Sequence, residues 1–326
     1  MLTDMLNQRA CFKLVCGAGN EDAEAVEKLV TLFAVAGARY FDLSAREEVV
    51  LAAKAGVERA TTLGVDEPCY LNVSVGIKGD PHVQKARIDQ DRCTRCSACF
   101  ESCTVQRAVT VENDRYVVNQ KQCIGCGMCA SVCPEKAVTL VSVAEPLAEV
   151  LPPLIDLGLD SIELHAVTED EVGALAEWQV IETLFDGPLS LCLDRSCLGD
   201  RQFLARIHRH IDHRAPMTTI IQADGAPMSG TNDTEATTLQ ALATAQLVAR
   251  AGLPVYLLLS GGTNSKTATL SRMFDIHAHG VAIGSFARTK TKTYVDSPDF
   301  FTNPSLFEEA QQVARALVET TTALMR

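Results

Sequence analysis

The sequence contains no apolar run long enough to cross a bilayer. A spanning helix needs about 20 consecutive, mostly apolar residues, and the apolar residues here, 47% of the chain, are interrupted throughout. Residues 1–11 also lack the apolar centre of a secretion signal. We therefore expect a cytoplasmic protein without a membrane span.

Positive charge is scarce. The 29 lysine and arginine residues are outnumbered by 41 aspartate and glutamate residues, which gives a net charge of −12. Contacts to phosphate backbones need clustered Lys and Arg, so a general nucleic-acid binder is not expected. The most basic segment, 201–214, is interpreted as a helix whose basic side chains are mostly solvated.

Common catalytic motifs are missing as well. The sequence carries no Walker loop, no GxGxxG fingerprint and no nucleophile–base motif. It therefore assigns no catalytic residue, and it leaves open whether the protein is an enzyme. It specifies no oligomeric state either.

Cysteine, by contrast, is abundant. The chain has 13 cysteines, and eight lie in two runs with equal gaps: Cys93, Cys96, Cys99 and Cys103, then Cys123, Cys126, Cys129 and Cys133. A reducing cytosol disfavours disulfides. This spacing is typical of bacterial ferredoxins, in which the fourth cysteine of one run binds the other cluster. It predicts two [4Fe–4S] clusters, one on Cys93, Cys96, Cys99 and Cys133, the other on Cys123, Cys126, Cys129 and Cys103.

The surroundings of the two runs also repeat. Short apolar stretches at 108–111 and 137–140 follow them, and glycines at 125 and 127 relieve crowding beside a cluster. The first run is followed by Thr104, whereas the second run is followed by Pro134. A zinc or purely structural thiolate site is the alternative, but zinc usually takes cysteine pairs or Cys/His sets at longer separations. Of the dispersed cysteines, Cys11, Cys16, Cys69 and Cys192 are predicted as buried hydrophobes, and Cys197 as exposed.

Outside the cysteine runs, apolar strands alternate with amphipathic helices. Strands are predicted at 12–16, 40–43, 70–75, 161–166, 189–193, 218–222, 255–259 and 281–283. Helices are predicted at 22–36, 46–60, 146–157, 168–185 with Thr168 as N-cap, 200–213, 234–251, near 267, and 305–324. This alternation predicts an α/β protein with a TIM-barrel-like (β/α)8 domain at 1–80 and 145–326. An open doubly wound sheet is the alternative.

The cysteine runs belong to an inserted α+β ferredoxin-like module at 81–144. It lies in a connection from a strand to the next helix, and such connections gather at the active-site face of a barrel. Glycine-rich turns follow the last two strands there, at Gly261, Gly262, Gly284 and Ser285. They predict either tight turns or a site for flavin mononucleotide or another phosphorylated ligand.

Polar residues lie near other predicted strand ends: Lys13, Asp42, Asn72, Glu163, His165, Asp194, Gln222 and Asp224. Glu163 and His165 are two positions apart, so both point the same way, and an inward pair is suited to acid–base chemistry. A satisfied polar layer is the alternative interpretation. Lys13, within an apolar strand, requires a carboxylate partner such as Glu163 or Asp42.

Three segments, 222–230, 252–267 and 280–285, resemble the C-terminal domain of the light-dependent period (LdpA) family of cyanobacteria, and residues 11–18 resemble its N-terminus. That family also carries ferredoxin-type cysteines. The resemblance implies an iron–sulfur protein that reports cellular redox state to the circadian clock, and it assigns no catalytic residue.

Three functions remain open. The first is a redox sensor or electron carrier that acts on a redox partner or a clock-associated protein. The second is a reductase that passes electrons to a flavin or phosphorylated substrate in the barrel mouth. The third is a scaffold that uses its clusters only for folding.

Overall fold

A computed structural model describes residues 1–17, 19–77, 83–103, 105, 108–196, 198–225, 233 and 235–325. Thr104 and Cys197 lie outside the described residues, as do Thr234, at the predicted start of a helix, and 226–230 of the resembling segment. Among the helices in the described ranges, none is long and apolar enough to cross a membrane.

The described strands fall into a barrel set and an inserted set. They are β1 (Cys11–Val15), β2 (Tyr40–Ser44), β3 (Tyr70–Gly76), β4 (Gln84–Ile88), β5 (Val109–Glu112), β6 (Arg115–Val118), β7 (Val138–Ser142), β8 (Ser161–His165), β9 (Leu189–Leu193), β10 (Thr219–Asp224), β11 (Tyr256–Ser260) and β12 (Gly280–Ile283). The barrel closes in the order β1, β2, β3, β8, β9, β10, β11, β12, and β12 pairs back to β1. Closure confirms the (β/α)8 prediction and excludes the open sheet.

Helices pack around this barrel and follow its strands. The described helices are α1 (Leu2–Asn7), α2 (Ala23–Val35), α3 (Glu47–Thr62), α4 (Ala98–Glu101), α5 (Met128–Ser131), α6 (Leu147–Asp156), α7 (Glu171–Leu184), α8 (Asp200–Ile211), α9 (Glu235–Ala251), α10 (Thr267–Met273), α11 (Ser285–Val295) and α12 (Pro304–Met325). Strand side chains alternate: Phe41 and Leu43 of β2 join the apolar layer beneath the helices, whereas Asp42 faces the barrel interior.

The N-terminal ends of the barrel strands are covered by α1, which the sequence pattern did not predict. Leu2 and Leu6 of this helix pack with an apolar group of strand residues that includes Tyr40, Tyr70 and Tyr256. Tyr256 also donates a hydrogen bond to Asn7 Oδ1 at 3.1 Å. The helix therefore fills the end of the barrel opposite the strand-to-helix loops.

Several helix predictions need correction. The N-cap of α7 is Asp170, whose carboxylate accepts the Gly173 N–H at 2.8 Å, and Thr168 instead accepts the Asp170 N–H at 3.1 Å. The helix α11 was not predicted, because its lysines and threonines hide its buried face. Cys69 is half-buried rather than buried.

The interpretation of 201–214 as mostly solvated is wrong for two basic residues. Arg206 and His210 lie on the buried face of α8. Arg206 donates to Ala166 O at 2.7 Å and to Glu171 Oε1 at 2.6 Å. These partners offset the cost of burying its charge.

The cysteine runs lie between β3 and α6, as predicted. Two small antiparallel sheets form there, β4 with β7 and β5 with β6. The apolar stretches predicted after the two cysteine runs correspond to β5 and β7. The inserted segment thus emerges from a strand-to-helix connection of the barrel, and its treatment as a unit at 81–144 stays a prediction.

Candidate iron–sulfur sites and the barrel mouth

The eight clustered cysteines line two separate cavities. The first, which we call the Cys93 cavity, is lined by Cys93, Cys96, Cys99 and Cys133. The second, the Cys123 cavity, is lined by Cys103, Cys123, Cys126 and Cys129. Each cavity therefore receives its fourth cysteine from the other run, which is the grouping predicted from the spacing.

Backbone conformation explains how each run curls around its cavity. The residues before and after the second cysteine have positive φ in both runs: Arg95 (58°) and Ser97 (67°) in the first, Gly125 (67°) and Gly127 (76°) in the second. Left-handed residues turn the chain so that successive cysteines face one centre. The second run uses glycine, which adopts this conformation at little cost, whereas the first run uses side chains that strain it.

Backbone N–H groups point at two of the sulfurs. The Ala86 N–H donates to Cys123 Sγ at 3.4 Å, and the Ala137 N–H donates to Cys133 Sγ at 3.2 Å. Burial raises the pKa of the Cys129 thiol to about 11, so loading a metal there must release a proton. Four converging soft sulfurs with N–H donors in an apolar cavity fit an iron–sulfur cluster.

The walls of the two cavities differ. Tyr116 and Glu135 line the Cys93 cavity, whereas Val118 and Leu140 are among the apolar residues lining the Cys123 cavity. Polar groups and charges near a cluster change its reduction potential. The two cavities are therefore electrostatically different despite their common cysteine spacing.

A buried lysine joins the Cys123 cavity to the barrel. Lys85, 3% exposed, donates to the carbonyl oxygens of Gly19 at 2.7 Å, Gln120 at 2.7 Å and Cys123 at 2.8 Å, and its Nζ lies 3.3 Å from Glu21 Oε1. Burial lowers the pKa of Lys85, although Glu21 opposes the shift. Gly19 is in the loop between β1 and α2, so this junction fixes the Cys123 loop at the barrel mouth.

The barrel interior holds a buried ion network. Lys13 Nζ lies 2.5 Å from Glu163 Oε2 and 3.4 Å from Asp42 Oδ1. Ser74 donates to Asp42 Oδ1 at 2.6 Å, and Asn72 also donates to that oxygen. Both carboxylate partners predicted for Lys13 are confirmed.

Burial and the neighbouring charges shift the pKa values of the residues in this network. Burial raises the pKa of Asp42, although Lys13 opposes the shift. Burial acts in the same way on Glu163, but the charge of Lys13 and the hydrogen bond from His165 outweigh it and lower the pKa of Glu163. The two carboxylates compensate the burial of Lys13 and raise its pKa. At neutral pH, Lys13 and Glu163 are therefore both charged.

Glu163 and His165 both point inward, and His165 Nε2 lies 3.0 Å from Glu163 Oε1. Cys192, predicted only as a buried hydrophobe, lies beside them, and its thiol donates to Asp224 Oδ2 at 3.1 Å. Asp194 instead accepts from the Ser196 N–H at 3.0 Å within its own loop. Gln222 is buried.

The glycines of the predicted anion site make close backbone contacts. Gly261 (φ 58°) and Gly262 (φ 76°) are left-handed, and a Cβ on Gly261 would lie 2.8 Å from Gly225 N. Gly284 precedes α11 and packs on Val15 and Arg288. Ser285 is the first residue of α11. These contacts explain the glycines as tight turns, and phosphate binding by this group stays a prediction.

Comparison with known proteins finds relatives of both the barrel and the inserted segment. The model of the light dependent period A C-terminal domain matches residues 154–326, and that of a 4Fe–4S dicluster domain matches residues 86–140. Light dependent period A of Synechococcus elongatus is 31% identical over 291 residues, which span 85% of this chain and 80% of that protein. The second match shows that the cysteine runs belong to an iron–sulfur domain.

Two further proteins are similar to this chain, one over the cysteine runs and one over the whole fold. The delta subunit of an NADH-dependent phenylglyoxylate dehydrogenase from Aromatoleum evansii is 36% identical over 69 residues, 21% of this chain and 73% of that subunit. The YdjI aldolase of Escherichia coli K12 superposes with a TM-score of 0.50 at 9% identity and covers 99% of this chain and 94% of its own. At that identity the likeness is one of fold alone.

Proposed function

The chain belongs to the light dependent period A family, and we propose that it is a two-cluster iron–sulfur protein that senses the redox state or carries electrons. One observation carries the proposal. The eight cysteines divide into two sets of four, each set lines its own cavity, and each set takes one member from the other run.

In this proposal Cys93, Cys96, Cys99 and Cys133 hold one [4Fe–4S] cluster, and Cys103, Cys123, Cys126 and Cys129 hold the other. The chain supplies the thiolates, the apolar walls and the N–H donors of Ala86 and Ala137. The clusters supply the one-electron chemistry. Because each run contributes to both sites, the two clusters lie close together and exchange electrons with each other.

Electrons enter or leave through the exposed side of the inserted segment. Cys96 and Cys126 are exposed. Large apolar side chains in or directly after α4 and α5 are exposed as well, with Phe100 at 48%, Met128 at 43% and Val132 at 38%. Exposed apolar groups beside a redox centre suit a transient contact with another protein. We propose a redox partner or a clock-associated protein in the cytoplasm, to which the chain conveys the redox poise of the cell.

Electron paramagnetic resonance of single variants tests the ligand sets. Under anaerobic reconstitution, Cys99→Ser and Cys133→Ser should perturb the same reduced-cluster signal, although they belong to different runs. Cys103→Ser and Cys129→Ser should perturb the other signal. Cys69→Ser, a half-buried cysteine next to β3, is the matched control and should leave both signals unchanged.

The pairing of signals decides the outcome. If Cys133→Ser instead changes the signal that Cys129→Ser changes, each run binds its own cluster and the interleaved assignment fails. A variant of Cys99 that leaves the iron content and both signals intact contradicts the proposal as a whole.

A reductase is the second candidate function. The Lys85 junction holds the Cys123 cavity against the β1–α2 loop, so a ligand in the barrel mouth would lie next to the iron–sulfur domain. Gly261, Gly262, Gly284 and Ser285 would approach the phosphate of flavin mononucleotide or of a phosphorylated substrate.

Release of bound cofactors separates the two functions. The protein is purified anaerobically and unfolded, and its supernatant is analysed for flavin by fluorescence and mass spectrometry. About one flavin mononucleotide per chain supports the reductase. If no flavin is released, and neither flavin mononucleotide nor inorganic phosphate raises the melting temperature, the reductase is contradicted and the sensor or carrier is supported.

A further inference from the structure

A second group of metal-binding side chains lies inside the barrel, away from the two cysteine runs. Glu163 and His165 of β8 and Cys192 of β9 are all buried, with 1%, 5% and 1% exposure. One ligand atom from each lies within 4.8 Å of the others. We propose that these three residues bind one divalent transition-metal ion, of the zinc or ferrous class.

Strand register brings the three donors together. β8 and β9 are parallel neighbours, and Glu163 is paired with Ser190 while His165 is paired with Cys192. Positions two apart on one strand share a face, so Glu163 and His165 both point into the barrel. Cys192 completes the triangle from the position directly across from His165.

The donor set favours a particular class of ion. Imidazole and thiolate bind zinc and ferrous iron well, whereas magnesium and calcium prefer all-oxygen sites. Three protein ligands with one open position are typical of catalytic zinc sites, while structural sites are closed by four. His165 and Cys192 lie at the carboxyl ends of their strands, where a barrel builds its active site.

Neighbouring groups hold the proposed ligands in place. Glu163 Oε2 is fixed by Lys13 at 2.5 Å and by Ser190 Oγ at 3.1 Å. Its other oxygen, Oε1, lies 3.0 Å from His165 Nε2, and a bound ion would replace the hydrogen bond between these two atoms. Hydrogen bonds that orient ligands in this way typically change metal affinity by about 10–100-fold when removed.

Binding at this place involves a proton. The Cys192 thiol donates a hydrogen bond to Asp224 Oδ2 at 3.1 Å, and a divalent ion bound to the sulfur would displace the thiol proton to solvent. The affinity should therefore fall at low pH.

The experiment uses cluster-loaded protein and zinc as the probe. After one equivalent of Zn²⁺ is added anaerobically, free metal is removed by gel filtration, and zinc and iron are counted by mass spectrometry. About one zinc per chain should remain, with the iron content unchanged. No retained zinc, or zinc gained only as iron is lost, overturns the proposal.

Variants locate the zinc. Cys192→Ser keeps a hydrogen-bond donor for Asp224, and His165→Gln keeps much of the side-chain volume, so both should keep the iron and its paramagnetic signals. Zinc affinity should fall at least about tenfold in each. Cys11→Ala, a buried cysteine near the other end of the barrel, is the matched control and should retain zinc. Equal zinc in all four proteins overturns the site.

Anomalous diffraction from wild-type crystals at the zinc edge does not depend on the folding of any variant. A peak about 2.0–2.3 Å from His165 Nε2 and Cys192 Sγ supports the assignment. A peak elsewhere, and none between these atoms, contradicts it.

Discussion

The barrel and the inserted segment are stabilised in different ways. The barrel buries a continuous apolar layer between strands and helices, which includes its one tryptophan, Trp178. Among the described residues of the inserted segment, the buried apolar cluster is small: Ala86, Cys99, Val109, Cys123, Cys129 and Val138. Three of these six are cysteines of the two runs, so the segment has little apolar core of its own.

The barrel is stabilised by packing, whereas we expect the inserted segment to depend on its metal ligands. Small modules commonly obtain folding free energy from bound metal, because they cannot bury enough apolar surface. The barrel should fold without iron, whereas the inserted segment should not.

Removal of iron should have the largest effect. Chelation should unfold the inserted segment, because structural metal sites contribute on the order of 10 kcal/mol of folding free energy. Amide hydrogen exchange should show protection lost in residues 83–142 and kept in the barrel strands. Protection that survives chelation in β4 and β7 would mean that the segment folds without metal.

The second effect should be confined to the barrel. Lys13→Met leaves Asp42 and Glu163 buried beside each other without their shared cation, and breaking a buried ion pair costs about 3–5 kcal/mol. Urea unfolding followed by Trp178 fluorescence measures the loss, while the iron content should stay unchanged.

Lys292→Met, which removes a partly exposed pair with Asp296, is the control and should cost less than about 1 kcal/mol. A loss for Lys13→Met that is no larger than for this control would show that the buried network contributes little.

The third prediction concerns the junction. Lys85→Met leaves the carbonyl oxygens of Gly19, Gln120 and Cys123 without this donor and should cost about 1–3 kcal/mol. Loss of a positive charge beside Cys123 should also lower the reduction potential of the cluster in the Cys123 cavity more than that of its neighbour.

A redox titration monitored by paramagnetic resonance measures both potentials. Lys121→Met, which removes an exposed lysine of the same loop, is the control. If Lys85→Met shifts the two reduction potentials equally, the Lys85 charge does not act mainly on the cluster in the Cys123 cavity, and the prediction is wrong.

The smallest effect should come from the backbone asymmetry of the two runs. Ser97→Gly should stabilise the inserted segment by about 1 kcal/mol, because it relieves a left-handed side chain. Gly127→Ala should cost a similar amount, because alanine is strained at the left-handed φ of 76°. The added Cβ would lie 3.4 Å from Leu140, an ordinary contact that adds little to this cost. Rates of cluster loss in urea measure both changes. If the two substitutions change the rate in the same direction, backbone strain does not control it.

Local patterns predicted much of this fold. β9 was predicted with its observed ends, and the other barrel strands differ by at most two residues at an end, as at β10. Buried parallel strands are short apolar runs, and these are visible in sequence. Cysteine spacing likewise predicted which four residues share each cavity.

The remainder depends on long-range register and on weak patterns. Helix α1 is six residues long and α11 is rich in lysine and threonine, so neither has a clear apolar period. The contact of Cys192 with His165 follows from the pairing of β8 with β9. Cys192 lies within an apolar strand, and the sequence pattern did not indicate this proximity. The sequence named Glu163 and His165 only as a possible acid–base pair, and it did not predict a metal site in the barrel.

We propose that one [4Fe–4S] cluster occupies each of the two cysteine-lined cavities. Iron and acid-labile sulfide are counted per chain after anaerobic purification and reconstitution. Two [4Fe–4S] clusters should give about eight of each per chain. About four of each, or zinc without sulfide, would contradict it.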